Sequence, residues 1–297
     1  MNRRGFLRGL LAVTLVGLFS SAYGFFIEPA LRLHVRRWRI SRNDWTAPPL
    51  RIVVVGDFHM GEPWVGPRRI RQIVRRINAL GADLVLLTGD FAPSHPFMTA
   101  PVRIEDMAPL FGALEATHGV YAVLGNHDWW DDPEAQRRGG LPNRYADELT
   151  AQGIRVLSNE AFKLDQAGIW LAGLEDQFAL KRPEGLPDGL DDLPGTLAQI
   201  EDDGAPVVMM AHEPDIFTRM PDRVGLTVSG HTHGGQVRLF GWSPIVPSEH
   251  GNRFAYGHVR ERGRDLVVTG GIGCSTIPVR FGVVPEITLI EIGAPSA

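Results

Sequence analysis

The stretch Arg51-Ile52-Val53-Val54-Val55-Gly56-Asp57-Phe58-His59 joins an apolar run to two side chains that can bind a metal. Residues 51–55 predict a fully buried strand, because their apolar positions are continuous rather than alternating. Asp57 and His59 follow the carboxyl end of that strand, and open α/β sheets bind ligands at that edge. The stretch therefore predicts a largely parallel sheet with a polar site where its strands end.

The same arrangement recurs along the chain. Apolar runs at residues 84–87, 120–124, 207–210 and 226–228 end at Gly89-Asp90, Gly125-Asn126-His127-Asp128, Ala211-His212-Glu213 and Gly230-His231-Thr232-His233. Apolar periodicity predicts helices over residues 67–80, 106–116 and 133–152, so strands and helices alternate as in an α/β fold. Further short strands are predicted at residues 154–157, 162–164, 169–174, 266–268 and 287–290, and an exposed loop at residues 181–195.

The residue types at these strand ends predict a site for two metal ions. Imidazole and carboxylate ligands together suit Mn, Fe, Co, Ni or Zn, whereas an all-oxygen shell would favour Mg or Ca. Two divalent ions bring a charge of about +4, and Asp57, Asp90 and a hydroxide contribute about −3. The residual charge of about one matches a phosphodiester monoanion, so the site is expected to hydrolyse a phosphate ester with a hydroxide held between the ions.

Taken together, the five motifs resemble the signature of the calcineurin-like metallophosphoesterase superfamily from about Leu50 to the end of the chain. The likeness is closer to exported or membrane-associated bacterial members that combine a twin-arginine N-terminus with Gly-His-Thr-His-Gly-Gly-Gln, here residues 230–236. The resemblance implies an α/β fold in a single domain, a two-sheet β-sandwich flanked by helices (α/β/β/α). We expect residues 31–297 to form this phosphoesterase domain.

The resemblance also implies a role for each site residue. The first metal is bound by Asp57, His59 and His233, the second by Asn126, His212 and His231, and Asp90 bridges both. His127 is not a ligand in such proteins, but faces the substrate and either stabilises the transition state or protonates the leaving oxygen. Asp128 is expected to orient His127. The implied reaction is in-line attack of the bridging hydroxide on phosphorus.

The N-terminus carries the signal for location. Asn2-Arg3-Arg4-Gly5-Phe6-Leu7-Arg8 is basic, and residues 9–27 contain no charge. This pattern resembles a twin-arginine export signal, and its apolar run is also long enough for a retained anchor. We expect residues 1–30 to be a cleaved signal or an anchor, which exports the domain or holds it on the outer face of the cytoplasmic membrane.

Residues 31–40 place arginines between alternating apolar positions. The alternation favours an edge strand with an arginine-rich outer face, and contact of the arginines with lipid headgroups stays open as an alternative. The net charge of −4 gives no basic field, so nucleic acid is not expected as a partner.

A few other residues have open assignments. His95 is interpreted as a loop histidine, although it could approach the second metal or the substrate. At least one of Trp129 and Trp130 is expected to pack, and the pair could instead form a wall for a lipid or base. Arg280 is interpreted as a surface arginine rather than a phosphate contact. The single cysteine, Cys274, is expected to be a buried small hydrophobe.

Three functions remain possible from the sequence. The first is a metal-dependent phosphodiesterase or phosphomonoesterase. The second is a pyrophosphatase acting on a nucleotide-linked lipid precursor, suggested by the arginines near the membrane and the tryptophan pair. The third is a non-catalytic binding module on the same scaffold, which the complete set of candidate ligands disfavours.

Overall fold

Two six-stranded sheets pack face to face in the computed structural model, which describes residues 3–295. The predicted signal segment begins with Met1 and Asn2, and these two residues lie outside the described part, as do residues 296–297 of the predicted domain. Together with the helices outside the sheets, this arrangement is the single-domain α/β fold that the motifs predict.

The elements are listed here in chain order. The strands are β1 (His34–Ser41), β2 (Leu50–Val55), β3 (Gly61–Glu62), β4 (Leu84–Leu87), β5 (Ala100–Pro101), β6 (Val120–Ala122), β7 (Arg155–Val156), β8 (Glu160–Leu164), β9 (Ile169–Gly173), β10 (Val207–Met210), β11 (Leu226–Ser229), β12 (Gly257–Glu261), β13 (Arg264–Val268) and β14 (Glu286–Gly293). The helices are α1 (Arg3–Ala22), α2 (Glu28–Leu31), α3 (Pro67–Asn78), α4 (Ile104–Phe111), α5 (Asn126–Trp130), α6 (Pro133–Arg138), α7 (Arg144–Ala151) and α8 (Leu193–Leu197). A π-helical turn, Tyr23–Ile27, joins α1 to α2, and three 3₁₀ turns cover Pro214–Arg219, His233–Gly235 and Gly251–Phe254.

Both sheets are mixed, with a parallel centre. The first has the order β1-β14-β2-β4-β6-β7, in which β2, β4, β6 and β7 are parallel and β14 runs antiparallel to β2. The second has the order β12-β13-β11-β10-β9-β8, in which the four central strands are parallel and both edge strands are antiparallel. The parallel strands of each sheet therefore end at one common edge, where their loops can meet.

Strand β2 shows why its apolar run is continuous. Ile52 and Val54 pack between the two sheets, whereas Val53 and Val55 pack against the layer that contains α3. A strand buried on both faces has no position for a polar side chain, which accounts for the absence of alternation.

Two predicted boundaries were wrong. The helix predicted over residues 133–152 is two helices, α6 and α7, because Gly139 ends α6 in the left-handed conformation (φ 74°) and Pro142 lies before α7. The loop predicted at residues 181–195 already contains the start of α8, and helix α5 and strand β12 were not predicted at all.

The N-terminal segment stands outside the sheets. Arg3–Leu31 is a helix long and apolar enough to cross a membrane by length and composition, and nearly all of its most apolar part is exposed. Strand β1 follows it and pairs in parallel with β14 alone, which confirms the predicted edge strand. Its arginines at positions 36, 37 and 39 are exposed, as the alternation indicated.

Candidate metal centre

All seven predicted ligands lie at the carboxyl ends of parallel strands from both sheets. Strands β2, β4 and β6 of the first sheet lead to Asp57, Asp90 and Asn126. Strand β10 of the second sheet leads to His212, and β11 leads to His231 and His233. The backbone N–H of His231 donates a hydrogen bond of 2.8 Å to the Asp57 carboxylate, so the two sheets meet directly at the site.

One cluster combines two carboxylates and two imidazoles. Asp57, His59, Asp90 and His233 each offer a ligand atom within 4.8 Å of the others, and all four are buried. The Nε2 atoms of His59 and His233 are 3.0 Å apart. The Nε2 atom of His59 lies 3.5 Å from Oδ2 of Asp90, and that of His233 lies 3.9 Å from Oδ1 of Asp57.

A second cluster shares Asp90 with the first. It comprises Asp90, His212 and His231. Oδ2 of Asp90 is 3.2 Å from Nε2 of His212, and Oδ1 of Asn126 is 3.2 Å from Nδ1 of His231. One carboxylate oxygen of Asp90 therefore lies between imidazole nitrogens of both clusters.

The donor atoms fit divalent transition-metal ions. Oδ2 of Asp57 is buried and has no hydrogen-bond partner among the described residues, and the buried Nε2 of His212 faces Oδ2 of Asp90 at 3.2 Å. The Nδ1 atoms of His59 and His212 donate to the carbonyls of Ala92 (3.1 Å) and Thr88 (2.6 Å), which directs the Nε2 lone pairs into the clusters. Buried polar atoms that converge without partners are the arrangement that a cation would complete.

Burial keeps most of the imidazoles neutral, which is the form that binds metal. It lowers the pKa of His59 to about 3 and also lowers the pKa values of His231 and His233. Although burial alone would have the opposite effects, close contact raises the pKa of His212 and lowers the pKa of Asp90. These directions favour a protonated His212 beside an ionised Asp90. A metal ion bound between them could supply that positive charge instead.

The backbone of the site is strained. Among residues 3–295, ten residues other than glycine have a positive φ, and five of them are predicted ligands, namely Asp57, His59, Asp90, His231 and His233. Such conformations cost roughly 1–3 kcal/mol each in sparsely populated regions and persist only where the surrounding structure imposes them. Their concentration here marks the strand ends as a functional site.

Two glycines permit the close approach of the ligand loops. A Cβ atom at Gly125 would lie 2.3 Å from Oδ1 of Asp90 and 2.7 Å from Cε1 of His212. Gly89 has a φ of 87°, and a Cβ atom there would lie 2.4 Å from the amide nitrogen of Gly125. The loops after β4 and β6 therefore pack backbone to backbone, at a distance that no larger residue permits.

Asp128 has a different contact pattern from the one expected. Its carboxylate accepts four backbone N–H hydrogen bonds, from Gly125, Asp90, Phe91 and Ala92, at 2.7–3.0 Å. Both of its oxygens join two ligand loops, so the contacts of the Asp128 carboxylate are with the backbone beside His127. Burial, followed by the nearby Asp90, raises the pKa of Asp128 to about 7, against the opposing effect of these N–H groups.

His127 belongs to neither cluster of candidate ligands and lies beside both. Its backbone N–H donates to Oδ1 of Asp90 (2.9 Å), and its ring is 4.9 Å from that of His59. The side chain lines an open pocket of about 280 Å³ together with Pro93, Ser94, His95, Pro96, Trp130, Asp131 and Lys181. Burial lowers the pKa of His127, so its imidazole is neutral near pH 7.

Sequence reasoning misplaced Arg280. The side chain is fully buried rather than exposed, and its guanidinium donates to the carbonyls of Gly270, Gly273 and Val283. Its Nη2 atom also lies 3.2 Å from Nδ1 of His233. The glycines at positions 270, 271 and 273 could have indicated this burial, because two of their carbonyls accept hydrogen bonds from Arg280.

A buried carboxyl pair beside His212 was also missed. Asp176 and Glu213 form with His212 a third group of close ligand-type atoms. Burial, reinforced by the charge of Glu213, raises the pKa of Asp176 well above its usual range. Glu213 directly follows His212 in the motif Ala211-His212-Glu213, and its carboxyl group beside a predicted ligand could have indicated this pair.

The remaining open assignments are decided by burial and contacts. His95 is buried against the Trp64 ring and outside both clusters of candidate ligands. Trp129 is fully buried, and its indole donates to Glu175, whereas Trp130 is half-buried at the pocket. Cys274 is buried, as predicted.

Comparison with known proteins agrees with this geometry. Residues 50–235, more than half of the chain, match the calcineurin-like phosphoesterase family, and the chain belongs to that family. It is similar to the uncharacterized metallophosphoesterase YkuE of Bacillus subtilis strain 168, with 27% identity over 98% of both chains. It is also similar to the phosphodiesterase YaeI of Escherichia coli strain K12, with 27% identity over 98% of this chain and 99% of the relative. A transmembrane protein with a metallophosphoesterase domain from Bos taurus is 31% identical over 99% of this chain and 64% of its own length.

Proposed function

We propose that this protein is a metal-dependent phosphodiesterase that uses two divalent transition-metal ions. Asp57, His59 and His233 would hold one ion, Asn126, His212 and His231 the other, and Asp90 both. The observation that carries the proposal is the position of Oδ2 of Asp90, 3.5 Å from Nε2 of His59 and 3.2 Å from Nε2 of His212. When bound, two such ions activate water near neutral pH and neutralise the phosphoryl oxygens.

The polypeptide supplies proton transfer and orientation. His127 borders the pocket without belonging to a ligand cluster, so its imidazole N–H is free to donate to the oxygen of the departing alcohol. Asp128 fixes the loops that carry Asp90 and His127 and acts as a positioning residue.

The pocket beside His127 is proposed to accept the leaving group. Trp130 offers an apolar wall, and the ammonium group of Lys181 lies 5.3 Å from the centre of its ring. A phosphodiester carries one negative charge, and Lys181 would attract it toward the metal centre.

We also propose that residues 1–30 are a twin-arginine signal or membrane anchor and that residues 31–297 form the phosphoesterase domain. In support, β1 and β14 complete the first sheet on either side of the range that matches the family. The exposed apolar helix Arg3–Leu31 and the name of the Bos taurus relative favour a location at the membrane, on its outer face.

The test is hydrolysis of a nitrophenyl phosphodiester by the full-length protein in detergent. The protein is stripped with a chelator and then supplied with Mn, Zn, Ni or Mg. We expect activity to return with a transition metal, and His127→Ala to keep both metals while losing about 10²–10⁴-fold in kcat. The control is His34→Ala, which alters an exposed residue of β1. Activity that is independent of added metal, or loss of metal from His127→Ala, would contradict the proposal.

A further inference from the structure

A group of large apolar side chains is exposed on one side of the metal centre. We name it the apolar rim, and it consists of Leu239, Phe240, Trp242, Ile245, Ile277 and Phe281. Phe240 and Ile245 are 107% and 78% exposed, so packing within the protein does not account for them. We propose that the apolar rim inserts into the interface of the bilayer that holds α1, and that the substrate is a phosphate ester carried by a membrane lipid.

The apolar rim is continuous with the end of the N-terminal helix. The backbone N–H of Arg238 donates to the carbonyl of Phe281 (2.8 Å), and the N–H of Arg280 donates to the carbonyl of Gly24 (2.9 Å). The rings of Phe281 and Tyr23 meet edge to face, with centroids 5.8 Å apart. The apolar rim therefore begins where α1 ends.

The length of α1 sets the depth of the apolar rim. Twenty residues at about 1.5 Å per residue span about 30 Å, the thickness of the hydrocarbon core of a bilayer. With Arg3 and Arg4 at one surface, Tyr23 lies at the opposite one. Arg8 is about 8 Å further along the helix than Arg3, a depth from which its long side chain can extend to the headgroups. The apolar rim adjoins Tyr23, at the depth where aromatic side chains concentrate. Arg32 is exposed, and its guanidinium donates a hydrogen bond to the Tyr23 hydroxyl (2.6 Å). At this depth its charge can contact anionic headgroups.

The tip of the apolar rim is held in its exposed position. Leu239 and Trp242 exchange two backbone hydrogen bonds of 2.9 and 3.0 Å, closing a turn that contains Phe240 and Gly241. Phe240 adopts a left-handed φ of 51°, an unfavourable conformation for a bulky residue in a turn. A closed, strained turn that presents aromatic side chains to the outside is typical of a binding surface.

Two short contacts connect the metal centre to this surface. Arg280 contacts the candidate ligand His233, and the next residue, Phe281, belongs to the apolar rim. Gln236 follows the turn that carries His233, and its side chain donates to the carbonyl of Ile277, another residue of the apolar rim. A phosphate held at the metal centre would thus lie close to the headgroup region, which favours lipid-borne esters as substrates.

The first experiment measures the depth of the apolar rim in the full-length protein. Phe240→Cys and Leu186→Cys each carry an environment-sensitive fluorophore, in vesicles of phosphatidylcholine and phosphatidylglycerol. Leu186 is the matched control, an exposed leucine (70%) on the loop between β9 and α8, and buried Cys274 serves as the unlabelled background. We expect quenchers attached to lipid chains to quench the label at 240, and aqueous iodide to quench the label at 186. Quenching of the 240 label by iodide alone would overturn insertion.

The second experiment tests the substrate class, which rests on the proposed phosphodiesterase activity. The double variant Phe240→Ser, Trp242→Ser is compared with the wild type on a soluble nitrophenyl diester and on a long-chain alkyl nitrophenyl diester in the same vesicles. We expect at least about a tenfold loss on the vesicle substrate, which corresponds to about 1.4 kcal/mol, because both aromatic side chains leave the bilayer interface. The rate on the soluble substrate is expected to stay unchanged. Equal rates for variant and wild type on vesicles, or equal losses on both substrates, would overturn this substrate class. If the wild type hydrolyses neither diester, the proposed activity fails while the quenching result still decides whether the apolar rim inserts.

Discussion

Gly125→Ala is predicted to damage the metal centre without altering any ligand. The backbone at Gly125 (φ −112°, ψ 170°) suits alanine, so the whole effect comes from the added methyl group. That group would lie 2.3 Å from Oδ1 and 2.7 Å from the amide nitrogen of Asp90. To restore an ordinary contact, Asp90 must move by about 1 Å, and overpacking of this kind costs about 1–3 kcal/mol. We expect the upper part of that range, about 2–3 kcal/mol, because backbone atoms are involved.

Two measurements follow from this displacement. Thermal unfolding of the metal-free protein is expected to show a Tm lower by roughly 4–12 °C, at about 2–4 °C per kcal/mol for a domain of this size. Metal affinity is expected to fall by at least about tenfold, as when groups that orient metal ligands are altered. Gly140→Ala is the control, because no atom lies within 4 Å of the added methyl group. A Gly125→Ala protein with the Tm and metal affinity of the wild type would refute the close packing of the two ligand loops.

Three further changes test other contacts. Lys181→Met, at the pocket beside Trp130, is expected to raise KM for a diester by up to about fivefold with kcat and metal content unchanged, since an exposed charge contributes at most about 1 kcal/mol; a changed metal content would argue against this role. Asp128→Asn replaces one of the two oxygens that accept four N–H groups with an NH2 group, which cannot accept, and is expected to cost about 2–4 kcal/mol in urea unfolding. An unchanged midpoint would show that these bonds do not hold the loops. Asp265→Asn breaks a buried ion pair with Arg42 (2.5 Å) and is expected to cost about 3–5 kcal/mol at pH 7. Burial raises the pKa of Asp265, but hydrogen bonds from His258 and Arg42 outweigh it and lower the pKa, so this stability is present above about pH 4 and is lost as pH falls through the lowered pKa. The unfolding free energy of Asp265→Asn should therefore fall less steeply with decreasing pH than that of the wild type. An equally steep fall in both proteins would contradict a stabilising role for the ionised Asp265.

Much of the fold followed from apolar periodicity. The strands that end at Asp57, Asp90, His212 and His231 were predicted because each is a short apolar run followed by a polar turn. Helix α5 could not be predicted in this way, because it has five residues and is stabilised by Asp128, which accepts the backbone N–H of Gly125. Its existence depends on contacts between loops that are distant in sequence, and periodicity carries no information about them.

The same distinction between local sequence and distant contacts applies to the residues of the site. The convergence of the seven candidate ligands follows from their positions after parallel strands, a local property of the sequence. The burial of Arg280 depends on which carbonyls the fold brings near it, and the raised pKa of Asp176 depends on its burial beside Glu213. The four backbone contacts of Asp128 could not be predicted for the same reason, since they come from loops that are distant in sequence.

The proposed function requires that one carboxylate, Asp90, joins two metal ions. Electron paramagnetic resonance of the stripped, full-length protein titrated with Mn²⁺ measures this, with atomic analysis to count the ions. We expect two ions per chain and a spectrum of exchange-coupled Mn²⁺, with the coupling lost in Asp90→Ala. A single ion per chain, or two ions without coupling, would contradict it.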